Sequence, residues 1–308
     1  MTIPNHILDW LLEGDPAIQY QVHRDLLGQD RPDLQARIAA EGWGARFLAS
    51  RNADGHWGRG FYQPKWISSH YTLLDLRHLC LPPGHADVME TIHLILSESK
   101  DDQGGINPHK TPVAPSDVCI NGMFLTYACY FGIEAEHLNS IIDYLIPQQM
   151  TDGGFNCERE YSAPVHSSLH STISVLEGIH EYRSGGYLYR KNELKDISAQ
   201  GCEFILRHQL FRSEHSGEVI DPKMLMLSYP SRWRYDILRA MDYFQAAGVP
   251  YDPRMGPALD VLIKKQRKGG RWPVQARHPG QTHFEMEQTG KPSRWNTLRA
   301  LRVLRSYT

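Results

Sequence analysis

The chain has 308 residues, 41% hydrophobic and 22% charged, with 33 Lys+Arg against 35 Asp+Glu and a formal net charge of −2. These globular values exclude global disorder, and the near-neutral balance argues against a nucleic-acid binder, which carries a basic face. No stretch approaches the ~18 apolar residues of a membrane span. The acidic start MTIPNHILDWLLEGD lacks the basic region and cleavage site of a secretory signal, so a cytoplasmic protein is expected. Five cysteines, Cys80, Cys119, Cys129, Cys157 and Cys202, are an odd count that points away from a disulfide framework and leaves metal ligation or core packing.

In chain order, NHILDWLL reads as a first helix, and DPAIQYQVHRDLL (15–27) as a second with Asp15 as cap and Pro16 at its first position. A repeat then sets in. An apolar helical run ends in a glycine turn at ARFLASRNADGHWG (45–58), IHLILSESKDDQGGIN (92–107), IDYLIPQQMTDGGFN (142–156) and LDVLIKKQRKGGRW (259–272), with a degenerate copy at 202–220. Asp54, Asp102 and Asp152 mark the turns at near-regular spacing. The glycines suit a positive φ that ends a helix, and a large apolar residue after them (Trp57, Phe155, Trp272) is expected to plug the turn. After each turn a second helix is predicted, over 65–79, 115–131, 164–179, 229–244 and 291–304, with Ser116 and Ser231 as candidate caps. The segment 183–196 reads as a long surface connection. No alternating strand pattern is present.

Six helical hairpins can close on themselves, so the expected architecture is a single all-α domain over 1–308, an α/α toroid (six-hairpin α6/α6 barrel) with inner and outer rings of helices; an open helical-repeat protein is the alternative. The helix–DGGF/DGHW turn–helix unit resembles the repeat of the terpenoid cyclase and protein prenyltransferase toroid superfamily. The stretch DGGFNCEREYSAPVHSSLHSTISVLEGI resembles its squalene-cyclase-like bacterial single-toroid branch. Neither a DxDD nor a DDxxD motif is present. The resemblance to the prenyltransferase β-subunit implies a zinc site in which Asp117 and Cys119, inside PSDVCINGMF, and His166 or His170 are ligands. It also implies a partner subunit and a basic diphosphate pocket, for which Lys110 and Arg159 are the nearby cations. The sequence itself leaves any protein partner open.

The topology points to the same place. All turns and inner-helix starts fall at one end of such a toroid, and aligning APSDVCIN with APVHSSLH pairs Asp117 with His166 and Asn121 with His170. Asp117, Cys119, Cys157, His166 and His170 then form a candidate zinc set of thiolate, imidazole and carboxylate. Taken singly, such residues cap helices or pack in cores. Acid–base candidates are Asp117, His70 and Asp236. Trp66, Asn121, Arg232, Tyr235 and Arg294 are expected to line the cavity, the arginines gripping a carboxylate or phosphate or pairing with Glu285 or Glu287. The loop 275–295 has the length of a lid. The aromatics Trp57, Tyr62, Trp66, Tyr161, Trp233 and Trp295 suit an apolar small-molecule substrate.

The expected function is thus a prenyltransferase- or terpene-cyclase-like enzyme acting on an isoprenoid or similarly apolar substrate, with zinc at one mouth. The alternatives are a non-catalytic ligand- or protein-binding toroid with structural zinc, and a carbohydrate-active toroid that would need paired carboxylates such as Asp117 and Asp236.

Overall fold

A computed structural model describes residues 2–109, 116–157 and 164–308. Its contacts fall into two compact units, one built from Met1–Ala49, Leu79–Pro82 and Leu206–Thr308, the other from Ser50–His78 and Pro83–Ile205.

In the second unit the helices are α5 (Ser69–His78), α6 (Ala86–Ser99), α7 (Val118–Phe131), α8 (Ala135–Leu145), α9 (Leu169–Ser184) and α10 (Lys191–Arg207). Two kinds alternate. On α6 and α8 the buried residues recur every three to four positions (Val88, Thr91, Ile92, Ile95; Leu138, Ile141, Ile142, Leu145), the stripe of a helix covering a core. On α5 and α7 burial runs around nearly the whole circumference, as expected of central helices. Close approach of α7 and α9 requires glycine: a Cβ at Gly122 would lie 2.5 Å from the Ser174 carbonyl oxygen, and one at Gly178 would lie 2.3 Å from that of Gly122.

In the first unit, α1 (Asn5–Leu12), α2 (Pro16–Gln21), α3 (Pro32–Ala40) and α4 (Gly42–Ala49) precede α11 (Ile237–Ala246), α12 (Gly256–Lys264) and α13 (Arg294–Tyr307). Asp15 caps α2 as predicted, accepting from the Ala17 amide at 2.9 Å, and also takes the Trp43 amide at 2.7 Å. Half-buried Arg302 ties the unit together through Asp25 (2.6 Å) and Asp242 (2.8 Å).

The turn repeat is real, but its register differs from the aspartate spacing. The amides of Asn52, Asp101, Met150 and Arg267 donate to the carbonyls of His56, Gly105, Gly154 and Arg271. In the reverse direction, Gly55, Gly104, Gly153 and Gly270, all at positive φ, donate back to the first four. Asp101, rather than Asp102, is the residue the fold uses: its carboxylate accepts from Ser116 and from the amides of Gln103 and Gly105. The residues after the turns, Trp57, Ile106, Phe155 and Trp272, are fully buried plugs.

Several boundaries move. Helix α10 begins at Lys191, so the predicted surface connection is helical over its second half. Helix α11 begins only at Ile237, because Asp236 caps it by accepting from the Arg239 amide (2.9 Å) and Arg232 sits in the left-handed region at φ 57. Helix α7 is capped by Asp117 rather than Ser116, and Ser231 lies in the turn before α11. Two short strands, Trp272–Pro273 and Pro292–Ser293, pair antiparallel before α13.

Candidate functional site

Each plug is pegged to the helix that follows it. The amides of Trp57, Ile106, Phe155 and Trp272 donate to Ser69 Oγ, Asn121 Oδ1, Thr172 Oγ1 and Thr297 Oγ1 at 2.7–3.0 Å. A buried amide left without a partner costs about 1–3 kcal/mol, so one short polar side chain per repeat is required in the first turns of the helix. This corrects the reading of Asn121. Its Oδ1 accepts from Ile106, and its Nδ2 donates to the carbonyls of Ile106 (3.1 Å) and Asp117 (3.0 Å). Both ends of the amide are occupied by structure. The equivalence also corrects the alignment: Asn121 matches Thr172, and the caps Asp117 and Ser168 match each other. His166 therefore falls two residues before the cap of α9, exposed in the entry loop, where its carbonyl accepts from Asn156. His170 lies on the first turn of α9, and its carbonyl accepts from Ser174.

Asp117, Cys119 and Cys157 do come together at the start of α7. The Cys119 amide donates to Cys157 Sγ at 3.2 Å, and Ser171 Oγ donates to the same sulfur at 3.2 Å. The Cys157 amide in turn donates to Ser171 Oγ at 3.1 Å. The sulfur thus occupies an anion position at a helix N-terminus, where unsatisfied amides and the helix dipole favour negative charge. The Cys119 thiol hydrogen-bonds Cys157 as well, which pulls the Cys157 thiol below its ordinary range and pushes that of Cys119 well above. Burial raises the half-buried Asp117 carboxyl, partly offset by His109, whose Nε2 is 3.8 Å away, and by Lys65. Among the described residues these groups do not bring three ligand atoms within 4.8 Å of one another.

An aromatic shell adjoins this cluster. Burial pushes the Tyr62 hydroxyl up, with further contributions from the negative charge of Cys119, Asp117 and Cys157. Lys65 Nζ lies 5.6 Å from the Tyr62 ring centroid and 5.4 Å from that of Trp66. Trp66 is buried and meets Tyr71 edge-on at 4.9 Å. His70 is fully buried among the rings of Phe61, Tyr62, Tyr71 and Tyr127, with Nδ1 3.2 Å from the Tyr127 hydroxyl. Burial holds its pKa down to about 3, so the ring is neutral. Lys65, Tyr127 and Ser171 escaped the sequence reading. The signal for Ser171 was its place one residue before the Thr172 peg, a place visible only once the register is known.

Tyr235, Arg294, Arg232 and Trp295 belong to the first unit, where the structure gives them supporting contacts. The Tyr235 hydroxyl donates to the Leu210 carbonyl at 2.6 Å. Arg294 Nε donates to the Trp10 carbonyl at 2.9 Å. Glu287 meets the matched Ser-Arg-Trp at 293–295 through the Ser293 hydroxyl and the Arg294 amide (2.6 Å), so its carboxylate caps α13 rather than pairing with a guanidinium. The Ser-Arg-Trp at 231–233 is a buried left-handed turn at Arg232, and the two tripeptides are not equivalent. The 275–295 loop is anchored: Phe284 packs on Phe47 at 4.6 Å and under Arg46 at 3.8 Å. Trp57 is a plug, and Trp295 stacks on Tyr229 at 4.9 Å. Lys110, Arg159 and Tyr161 lie outside the described residues.

The sequence matches no protein-family model and no curated protein. Among solved structures, a polysaccharide lyase is similar over 97% of this chain and 95% of its own, with a TM-score of 0.52 at 13% identity. A type II terpene cyclase from Scytonema, in complex with geranylgeranyl dihydroxybenzoate, aligns over 97% of this chain and 94% of its own, with a TM-score of 0.46 at 12% identity. At these identities the likeness is one of fold. The fold is the all-α toroid that the repeat predicts. No helix of the described residues is long and apolar enough to cross a membrane.

Proposed function

We propose that the chain is a toroid enzyme whose reacting centre is the thiol pair at the start of α7. In this reading Cys119, Cys157 and Asp117 hold zinc, and the substrate is isoprenoid-like or similarly apolar. One observation carries it: beside the Asp117 carboxyl, the Cys119 amide and the Ser171 hydroxyl both donate to the Cys157 sulfur at 3.2 Å, an arrangement that favours a thiolate. Two thiols and a carboxylate suit zinc in donor type. When bound, the metal would lower the pKa of a ligated thiol or water and act as a Lewis acid. The chain's own residues do the rest. The Cys119 amide and Ser171 hydroxyl orient the Cys157 sulfur. Tyr62, Trp66 and Tyr71 offer π faces to an apolar chain, and Lys65 supplies a positive charge for an anionic head group. His70, neutral and enclosed, positions the Tyr127 hydroxyl in this scheme rather than relaying protons. The single-domain organisation over 1–308 belongs to the same proposal.

A carbohydrate-active toroid is the second reading, favoured by the polysaccharide lyase likeness. It is weakened by Asp236, whose carboxylate is engaged as the cap of α11 rather than held ready as the second acid that two-carboxylate chemistry uses.

The first test is metal content of the protein as isolated, with Cys119→Ser/Cys157→Ser alongside. About one zinc per chain that disappears in the variant supports the centre. Equal zinc in both, or none in either with unchanged stability, refutes it. Turnover of prenyl diphosphates against turnover of uronate polysaccharides then separates the two substrate readings.

A further inference from the structure

A second cluster of metal-ligating groups lies apart from the thiols, where α6 meets the start of α8. His93, Glu134 and His137 bring one imidazole nitrogen or carboxylate oxygen each within 4.8 Å of one another, the one such trio among the described residues. Glu134 is the residue before the first turn of α8 and His137 follows three residues later, so both project from the start of the helix. His93 comes from the neighbouring helix, and its ring meets that of His137 edge-on at 5.7 Å.

The hydrogen bonding of His93 says what is missing. Its Nδ1 lies 2.9 Å from the Met89 carbonyl oxygen, which can only accept, so Nδ1 carries the proton. In the neutral ring Nε2 is then a lone pair, yet it lies 3.1 Å from Glu134 Oε2. A lone pair facing a carboxylate needs a cation between them, either a proton or a metal ion. The Met89 contact is the outer hydrogen bond that metal-bound histidines characteristically make to fix the tautomer. Ligand atoms ~2.0–2.1 Å from a tetrahedral zinc stand roughly 3.3 Å apart, close to the 3.1 Å between His93 Nε2 and Glu134 Oε2. Lys100 donates its ammonium to the His137 carbonyl at 3.1 Å.

We infer that His93, Glu134 and His137 form a binding site for a zinc-like divalent cation. The ion takes the position between His93 Nε2, Glu134 Oε2 and His137 and clips α6 to α8. Two imidazoles and one carboxylate leave coordination positions open to solvent.

The test is a zinc titration of the Cys119→Ser/Cys157→Ser protein, read by calorimetry and by proton release. One ion per chain is expected, with protons released on binding and affinity weakened at least tenfold by His93→Ala or His137→Ala. Equal affinity in those variants, or no uptake at 1 mM zinc, overturns the site. If the cysteine variant does not fold, cobalt binding to the otherwise unaltered chain decides. The site predicts a component of the visible d–d absorption that is lost in His137→Ala whatever thiolate charge transfer is present, and a spectrum unchanged by His137→Ala overturns it. Neither outcome bears on the thiol centre.

Discussion

At the scale of single residues, the structure separates pegs from reactive groups. Asn121 looked like a cavity residue because it is polar and one turn into an inner helix. Its bonds to Ile106 show that it does for the second turn what Ser69, Thr172 and Thr297 do for the others. Asn121→Ala strands a buried amide and a buried carbonyl and is expected to cost about 2–4 kcal/mol, given ~1–3 for each unmet group. Thr172→Val, which strands the Phe155 amide and removes only a long 3.4 Å bond to the Phe155 carbonyl, is expected to cost less. Urea denaturation of both variants measures this, and an Asn121→Ala protein of unchanged stability contradicts the peg. Cys157 is the opposite case: its sulfur receives three hydrogen bonds and gives the fold nothing that serine would not. Cys157→Ser should therefore leave the urea midpoint nearly unchanged while abolishing rapid alkylation near neutral pH. A large loss of stability would instead make the thiol a packing group.

At the scale of elements, the helix alternation and the plugged turns were legible because both are written in local chemistry: a 3.6-residue stripe, a glycine needing positive φ, an aromatic after it. Register was not. The aspartates of the turns are an uneven marker, since the fold repeats a backbone hydrogen-bond pair that any residue can make, and Met150 and Arg267 occupy the positions of Asn52 and Asp101. That hidden register misaligned Asp117 with His166 and carried two histidines into the predicted metal set. Helix starts failed where a cap was assigned to the wrong side chain: Asp236, not Ser231, opens α11. The Asp117, Cys119 and Cys157 cluster was legible from the family resemblance and from where the helix starts and the turn loop fall, whereas Ser171 and Lys65 depend on packing that no spacing encodes. The α7–α9 contact was equally invisible, because glycine inside a helix reads as a defect until a neighbour's backbone is seen against it. Gly178→Ala would set a methyl 2.3 Å from the Gly122 carbonyl oxygen. Neither backbone is a flexible side-chain end, so overpacking should cost about 1–3 kcal/mol, visible as a lower urea midpoint at constant m. A variant as stable as the parent would mean that α7 and α9 are not held at this distance.

At the scale of the whole molecule, folding sets the protonation of groups far apart in the chain. Burial pushes His70 down to about 3, and His278 and His283 each to about 4. An unfolded histidine takes up a proton below about pH 6.5. Above that value both states hold these rings neutral, and the histidines add no slope. As pH falls from about 6.5 toward 4, the unfolded chain binds protons that the folded chain refuses, so stability declines, by up to ~1.4 kcal/mol per pH unit for each histidine. The buried carboxyls of Asp15, Asp236 and Glu287 act in the opposite sense. Their folded pKa values are raised by burial, so the native state binds their protons first and gains stability as pH falls through that range. The measured slope is the difference of the two sets, and only substitution separates them. Replacing His278 and His283 with asparagine removes two titrations and should flatten the fall in urea midpoint between pH 6.5 and 4.5, leaving the curve above pH 7 parallel to that of the parent. An unchanged slope would mean that both rings are charged in the native state, and that the loop between Trp272 and α13 is wetter than its packing on Phe47 and Arg46 implies.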